Sequence, residues 1–310
     1  KLFGRIALAV ASAFALTVTA ACGSVGEKNE PEEKTTENQK SPDEKSGSGD
    51  KTITIGWIPW DEDIVVTHLW KQELEKKGYT VELVNVDAGP LYTGMAKGDI
   101  DLFLDGWLPL THEQYWNDNK ANLEDLGTWY DNAKLTIAVP DYVQDVKTIG
   151  DLAKNPDQFG GKIVGIEPGA GLMKATKTQA VPKYGLEGKL EVQDSSTPAM
   201  LAALDKAVKA KEPIVVTLWR PHWVYAKLPI RDLEDPEGAM GGAEQLHIIA
   251  RKGFSEEFPD VAKWLGNFQM NDQQLGTLED VVLNNYKDDP AKGVAEWTKD
   301  NQEYVDGLTK

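Results

Sequence analysis

The chain has 310 residues, 41% of them hydrophobic and 27% charged, which is enough for two ordinary domains with their own cores. Its formal net charge of -17 argues against a nucleic-acid partner, because phosphate binding needs a basic face. Acidity of this kind reads as a solubility feature rather than as a device for capturing cations.

The N-terminus reads as an export segment. Lys1 and Arg5 supply a positive start, and residues 6–21 form an apolar run that ends in small residues. Flanking charge and a polar tail favour a cleaved signal over a retained membrane span. Cys22, the single cysteine, directly follows Ala20 and Ala21 and has no partner for an internal disulfide. Small residues followed by Cys resemble a bacterial lipoprotein cleavage site, although Thr19 stands where Leu is usual. Residues 1–22 are therefore expected to be a signal peptide with lipidation at Cys22; ordinary cleavage leaving a free thiol is the alternative. Residues 23–50 are rich in Glu, Lys, Ser, Asn and Gly and are expected to be a disordered tether.

From residue 51 onward, short apolar runs alternate with helical patterns. TITIGWI, TVELVNV, IDLFLDG, KLTIAVP, KIVGIEP, KLEVQD, PIVVTLW and EQLHIIAR read as strands. Residues 64–77 and 197–210 carry apolar side chains at helical spacing. Such alternation predicts an α/β fold around mostly parallel sheets, and its length favours two lobes over one sheet. The crossings are expected near residues 134–140 and 244–253. Lobe one is then residues 51–136 plus 247–310, with helices from Ser255 packing back on it, and lobe two is residues 137–246.

One short element recurs at three strand ends: Trp57-Ile58-Pro59, Trp107-Leu108-Pro109 and Trp219-Arg220-Pro221. Proline marks where each strand stops, and ligands of α/β sheets bind beyond the carboxyl ends of strands. With Trp60 and Trp223, these segments hold five of the ten tryptophans, at the mouth of the expected cleft. The alternative is that the indoles plug the core under loops. Indole faces suit a trimethylammonium group, which has no N–H for a carbonyl or carboxylate to grip. Each face contributes about 0.5–2 kcal/mol, so three supply several of the roughly 8 kcal/mol that micromolar affinity requires. Stacked tryptophans also bind sugars.

After KIVGI, the stretch Glu167-Pro168-Gly169-Ala170-Gly171-Leu172-Met173 leads into a helical pattern. Glycines between strand and helix let bare backbone N–H groups face an anion such as a carboxylate. Lys174 stands where the dinucleotide pattern needs its third glycine, and a plain tight turn is the other reading. The histidines at 68, 112, 222 and 247 show no metal-ligand spacing, so neither metal nor cofactor is expected.

GWIPWDED, AGPLYTGMAKGDIDLFLDGWLPLTH, GIEPGAGLM, DSSTPAML, VVTLWRPHW and HIIARKGF together resemble the glycine betaine-binding proteins of osmoprotectant ABC transporters. The resemblance runs from about residue 51 to 268, with several motifs in one order. It implies a two-lobed periplasmic-binding-protein-like clamp with its ligand in the cleft between lobes. It also implies that Trp60, Trp107 and Trp219 box the ammonium group, and it selects Trp60 over Trp57. Gly171 and Leu172 would offer backbone N–H groups to the ligand carboxylate, and His112 a further hydrogen bond. Trp223 and His222 fall behind this set.

On that basis the chain is expected to be a non-enzymatic, monomeric solute-binding component held to the outer face of the cell membrane by lipidated Cys22. Its partners would be a small ligand and an ABC permease, with no nucleic acid. One rival is a hydrolase using Asp61, Glu62, Asp63, Asp101 or Asp105 as acid and base. Others are a sugar receptor, or a sensor feeding a receptor rather than a transporter.

Overall fold

The computed structural model describes residues 51–310; the signal segment, Cys22 and the tether expected before them lie outside the described residues. In chain order the elements are β1 (Thr52–Trp57), α1 (Asp61–Lys76), β2 (Thr80–Asn85), α2 (Ala88–Lys97), β3 (Leu102–Leu108), α3 (Glu113–Asn119) and β4 (Leu123–Pro140). There follow β5 (Lys162–Val164), α4 (Gly171–Ala175), α5 (Val181–Lys183), β6 (Glu191–Gln193), α6 (Thr197–Ala210), β7 (Val216–Arg220), α7 (Val224–Lys227), β8 (Ile230–Asp232) and β9 (Glu244–Arg251). Five helices close the chain: α8 (Phe254–Glu257), α9 (Pro259–Gly266), α10 (Asp272–Glu279), α11 (Pro290–Asp300) and α12 (Gln302–Gly307).

Local chemistry explains several boundaries. Gly98 ends α2 at φ 85°, a left-handed position that glycine takes without penalty, and its N–H caps the Gly94 and Met95 carbonyls. Ser196 starts α6 by accepting the Ala199 N–H, with Pro198 in the first turn where a missing donor is harmless. The three Trp-x-Pro elements do end strands: β1 stops at Trp57, β3 at Leu108 and β7 at Arg220.

The strands run in the order β2-β1-β3-β9-β4-β7-β5-β6, with β8 beside β4. β1 pairs in parallel with β2 and β3, and β5 with β6 and β7. The expectation of mostly parallel sheets needs correction. β9 runs antiparallel to β3 and β4, and β4 runs antiparallel to β7 and β8. Chain crossings between halves bring β4 and β9 in from the opposite direction, so the sheet is mixed.

β4 extends well beyond the expected residues 134–140. Its first half pairs with β9 from Leu123 to Ala133, through register shifts around Gly127, Tyr130 and Ala133 that obscure strand alternation in the sequence. Its second half, from Lys134, pairs with β7 and β8. One strand thus belongs to both sheet halves and joins the two lobes of an α/β architecture.

Trp129, on the bulged half of β4, fixes the C-terminal helices to this frame. It is fully buried, donates Nε1–H to the Leu104 carbonyl at 2.7 Å and stacks on Phe268 with ring centroids 5.4 Å apart. Phe268 in turn meets the edge of Trp70 on α1. Trp129→Ala removes a large core ring and leaves a carbonyl unpaired. It is expected to destabilise the fold by about 3–5 kcal/mol, read as a lower urea midpoint at unchanged slope.

Candidate ligand-binding site

A cavity of about 260 Å³ lies between the two sheet halves, lined by Trp60, Glu62, Trp107, Thr111, His112, Leu135, Ile166, Ala170, Gly171, Leu172 and Trp219. All six residues singled out in the sequence meet here. Trp57 does not: it stands outside this lining with its ring edge-on to His68. Walled by large side chains on most sides, the space suits one compact solute.

Each indole is fixed from behind. Trp60 precedes α1 and stacks on His112, centroids 5.6 Å apart and planes 28° apart. Trp107, near the end of β3, donates Nε1–H to Asp105 at 3.3 Å. Trp219, near the end of β7, reaches across to donate Nε1–H to Glu62 at 2.8 Å and meets the His222 ring edge-on at 4.8 Å. All three are at least nine-tenths buried, so the walls are desolvated aromatic faces.

The other end of the cavity carries donors. Gly171 and Leu172 open α4, and the first N–H groups of a helix have no intrahelical acceptor. His112 is fully buried, and its Nδ1 accepts the Trp107 backbone N–H at 3.0 Å, with Tyr92 Oη at 3.2 Å. A backbone N–H only donates, so the neutral ring carries its proton on Nε2. Nε2 has no hydrogen-bond partner among the described residues. Burial pushes the His112 pKa down to about 3, which keeps the ring neutral. The result is a spare N–H donor on a cavity wall.

Gly171 also meets a packing demand: a Cβ there would collide with the carbonyl and methyl of Thr111. Glu244 at the start of β9 holds the Thr111 loop by accepting the Leu110 and Thr111 N–H groups at 2.8 and 2.7 Å. Tyr115 on α3 donates to the Gly169 carbonyl at 2.8 Å, a second contact between the His112 segment and the α4 turn.

Glu62 is the lining residue that the sequence analysis placed only in a hydrolase. Together with Asp61, Asp63, Asp105 and Glu279 it forms a fully enclosed acidic cluster. Burial, the largest cause, raises Glu62, Asp63 and Asp105 above the usual carboxylate range, and their mutual repulsion raises Glu62 and Asp105 further. Asp63 is occupied structurally, accepting the Ile58 N–H at 2.7 Å and the Thr67 hydroxyl at 2.9 Å. The three acids that follow Trp60 in the sequence were the available signal, since charges at a helix start complement its dipole. Thr111, Leu135, Ile166 and Ala170 gave no comparable signal. An aromatic box with one carboxyl and a set of N–H donors can hold a compact solute with a cationic head and an anionic tail.

Residues 51–300 match the family described as the substrate binding domain of ABC-type glycine betaine transport system. A glycine betaine/carnitine transport binding protein, GbuC, from Listeria monocytogenes is 39% identical over 163 residues, which are 50% of this chain and 52% of that protein. The match thus spans about half the length of that relative. The crystal structure of lactococcal OpuAC, closed and complexed with glycine betaine, aligns with a TM-score of 0.77 at 31% identity over 84% of this chain and 100% of that one. A choline binding protein of an ABC transporter, in complex with choline, aligns with a TM-score of 0.75 at 29% identity, covering 83% and 90% of the respective chains.

The state of His112 is open to direct measurement. Nitrogen-15 NMR of the imidazole is expected to show a neutral Nε2–H tautomer that persists at about pH 5, well below the ordinary histidine range. Protonation of His112 near its ordinary value would remove it from the enclosed wall described above.

Proposed function

The chain belongs to the substrate-binding family of ABC-type glycine betaine transport systems, and from that premise we propose that it captures glycine betaine in the tryptophan-lined cavity and delivers it to a membrane permease. The observation that carries this reading is the meeting of three buried indoles, the first N–H groups of α4 at Gly171 and Leu172, and the spare His112 Nε2–H around one small space. In this reading, Trp60, Trp107 and Trp219 enclose the trimethylammonium group by cation–π attraction, with the Glu62 carboxyl beside it. Gly171, Leu172 and His112 Nε2 receive the carboxylate. Choline shares the cationic head but leaves those donors without an anionic partner, which favours betaines.

We divide the chain into lobe one, residues 51–136 plus 247–310, and lobe two, residues 137–246. The change of strand partners between Ala133 and Lys134 on β4 supports that division to within a few residues. Trp60, Trp107 and His112 then lie on one lobe, and Trp219 with the Gly171 turn on the other. The ligand's contacts are complete only when the lobes close, so binding favours the closed form. From the sequence alone we infer export and a lipid anchor at Cys22, which places a monomeric domain outside the membrane next to its permease.

Calorimetric titration with glycine betaine, choline and a neutral sugar tests this function. Saturable binding of glycine betaine is expected, stronger than that of choline. Trp107→Ala should weaken it by about 2 kcal/mol, roughly thirtyfold. Heat with the sugar alone would move the cavity to a different ligand class.

Gly171→Ala and His112→Ala separate the roles at the donor end. The added methyl of Gly171→Ala holds the Thr111 loop and the α4 turn apart, so a loss of binding larger than the roughly tenfold expected for His112→Ala is predicted. Equal affinities in wild type and Gly171→Ala would refute close approach in the bound state.

A further inference from the structure

Three carboxyl groups of lobe one meet a single short segment of lobe two. Trp219 donates to Glu62 at 2.8 Å, and Trp223 donates its Nε1–H to Asp61. His222 Nε2 lies 3.1 Å from the same Asp61 oxygen. Glu279, at the end of α10, is enclosed and faced by the Trp223 backbone N–H, and among the described residues neither of its oxygens completes a hydrogen bond. We propose that Asp61, Glu62 and Glu279 form a latch for residues 219–223 that positions the third indole wall and takes up protons as the lobes close.

The latch presupposes the proposed role of this cavity as a ligand site between lobes. When the lobes part, these carboxyls regain water. When they close, the groups become buried among one another. The charged groups around the latch are Asp63 on α1, Asp105 on β3 and Glu167 before α4. The cations here are already engaged: Arg220, within the segment itself, pairs with Asp232 at 2.7 Å, and Lys227 with Asp280 at 2.6 Å. Burial raises Asp61 to about 7 and lifts Glu279 well above its usual range, with Glu62 and Asp61 adding to the latter.

A carboxyl whose value is raised by closing favours the closed form at low pH, and that preference is lost as pH rises through the raised value. His222 works the other way: burial lowers it to about 3, so below its ordinary range closing expels a proton from it. That proton balances the one taken up by Asp61. Above about pH 6.5 the histidine is neutral in both forms, and uptake by the carboxyls is uncompensated. A bound cation would hold Glu62 charged, whereas Asp61 and Glu279 lie outside the cavity lining.

The test uses the intact chain. Glycine betaine is titrated at about pH 7.5 in two buffers of different ionisation heat, and affinity is compared at about pH 6.5 and pH 9. Small-angle scattering follows the ligand-free protein at the same two values. Expected results are net proton uptake, affinity weaker by about fivefold or more at the higher pH, and a more compact ligand-free form at the lower. Glu279→Gln should reduce the uptake and flatten the pH profile, with Asp61→Asn as the second variant if the first does not fold. Trp223→Phe keeps an aromatic ring, though a smaller one, but loses the donated N–H, and should weaken binding at both values. No proton uptake with pH-independent affinity and an unchanged radius would overturn the latch. Absence of glycine betaine binding at every pH would instead defeat the proposed ligand; the ligand-free radius then decides the latch, and equal radii refute it.

Discussion

A box of indole faces holds a cation only while the rings keep their orientation, and this chain fixes them with polar groups buried behind the box. Asp105 anchors Trp107, Glu62 anchors Trp219, and His112 backs Trp60 as a neutral stacked ring. Burying carboxyls together is unfavourable, by several kcal/mol per uncompensated charge. Two features offset that cost. The first turn of α1 brings the positive end of a helix dipole to Asp61, Glu62 and Asp63. Raised carboxyl values also let protons replace the missing cations. The aromatic cavity and the acidic cluster are therefore one construction, with the same residues serving both.

That coupling also explains the position of the donor end. His112 offers a free Nε2–H because its Nδ1 is committed to the Trp107 backbone, so the ring that supports one indole is oriented by the strand end carrying another. The Gly171 turn then has to approach the Thr111 loop more closely than any side chain at that position would allow. Sterics and hydrogen bonding thus select glycine at position 171 for a different reason from the conformational freedom usually invoked for a turn.

Much of this was legible in the sequence, for identifiable reasons. Trp-x-Pro marks a strand end by simple backbone chemistry, and α6 shows its spacing and its Ser196 cap openly. The choice of Trp60 over Trp57 needed the family resemblance, because both flank the same proline and only the fold separates cavity from surroundings. The first half of β4 was hidden because its bulges break the alternation that reveals a strand. Antiparallel entry of β4 and β9 was likewise invisible, since direction depends on where the chain crosses between halves. Glu62 entered the sequence reading only through the rival hydrolase and not as a support, because a carboxyl's role depends on what it faces.

Leu135 follows the point at which β4 leaves one sheet for the other, and it also lines the cavity. On the lobe division proposed above, the chamber is therefore lined by part of its own hinge. A solute resting there would then sit close to the strand about which the lobes turn, where leverage is small, while contacts such as Tyr115 to Gly169 act from other parts of the frame. Volume and angle are not separable quantities at such a position. A bulkier or smaller side chain at 135 would resize the chamber and retune the swing of the jaws in the same step, so ligand choice and mechanical travel would have to evolve together.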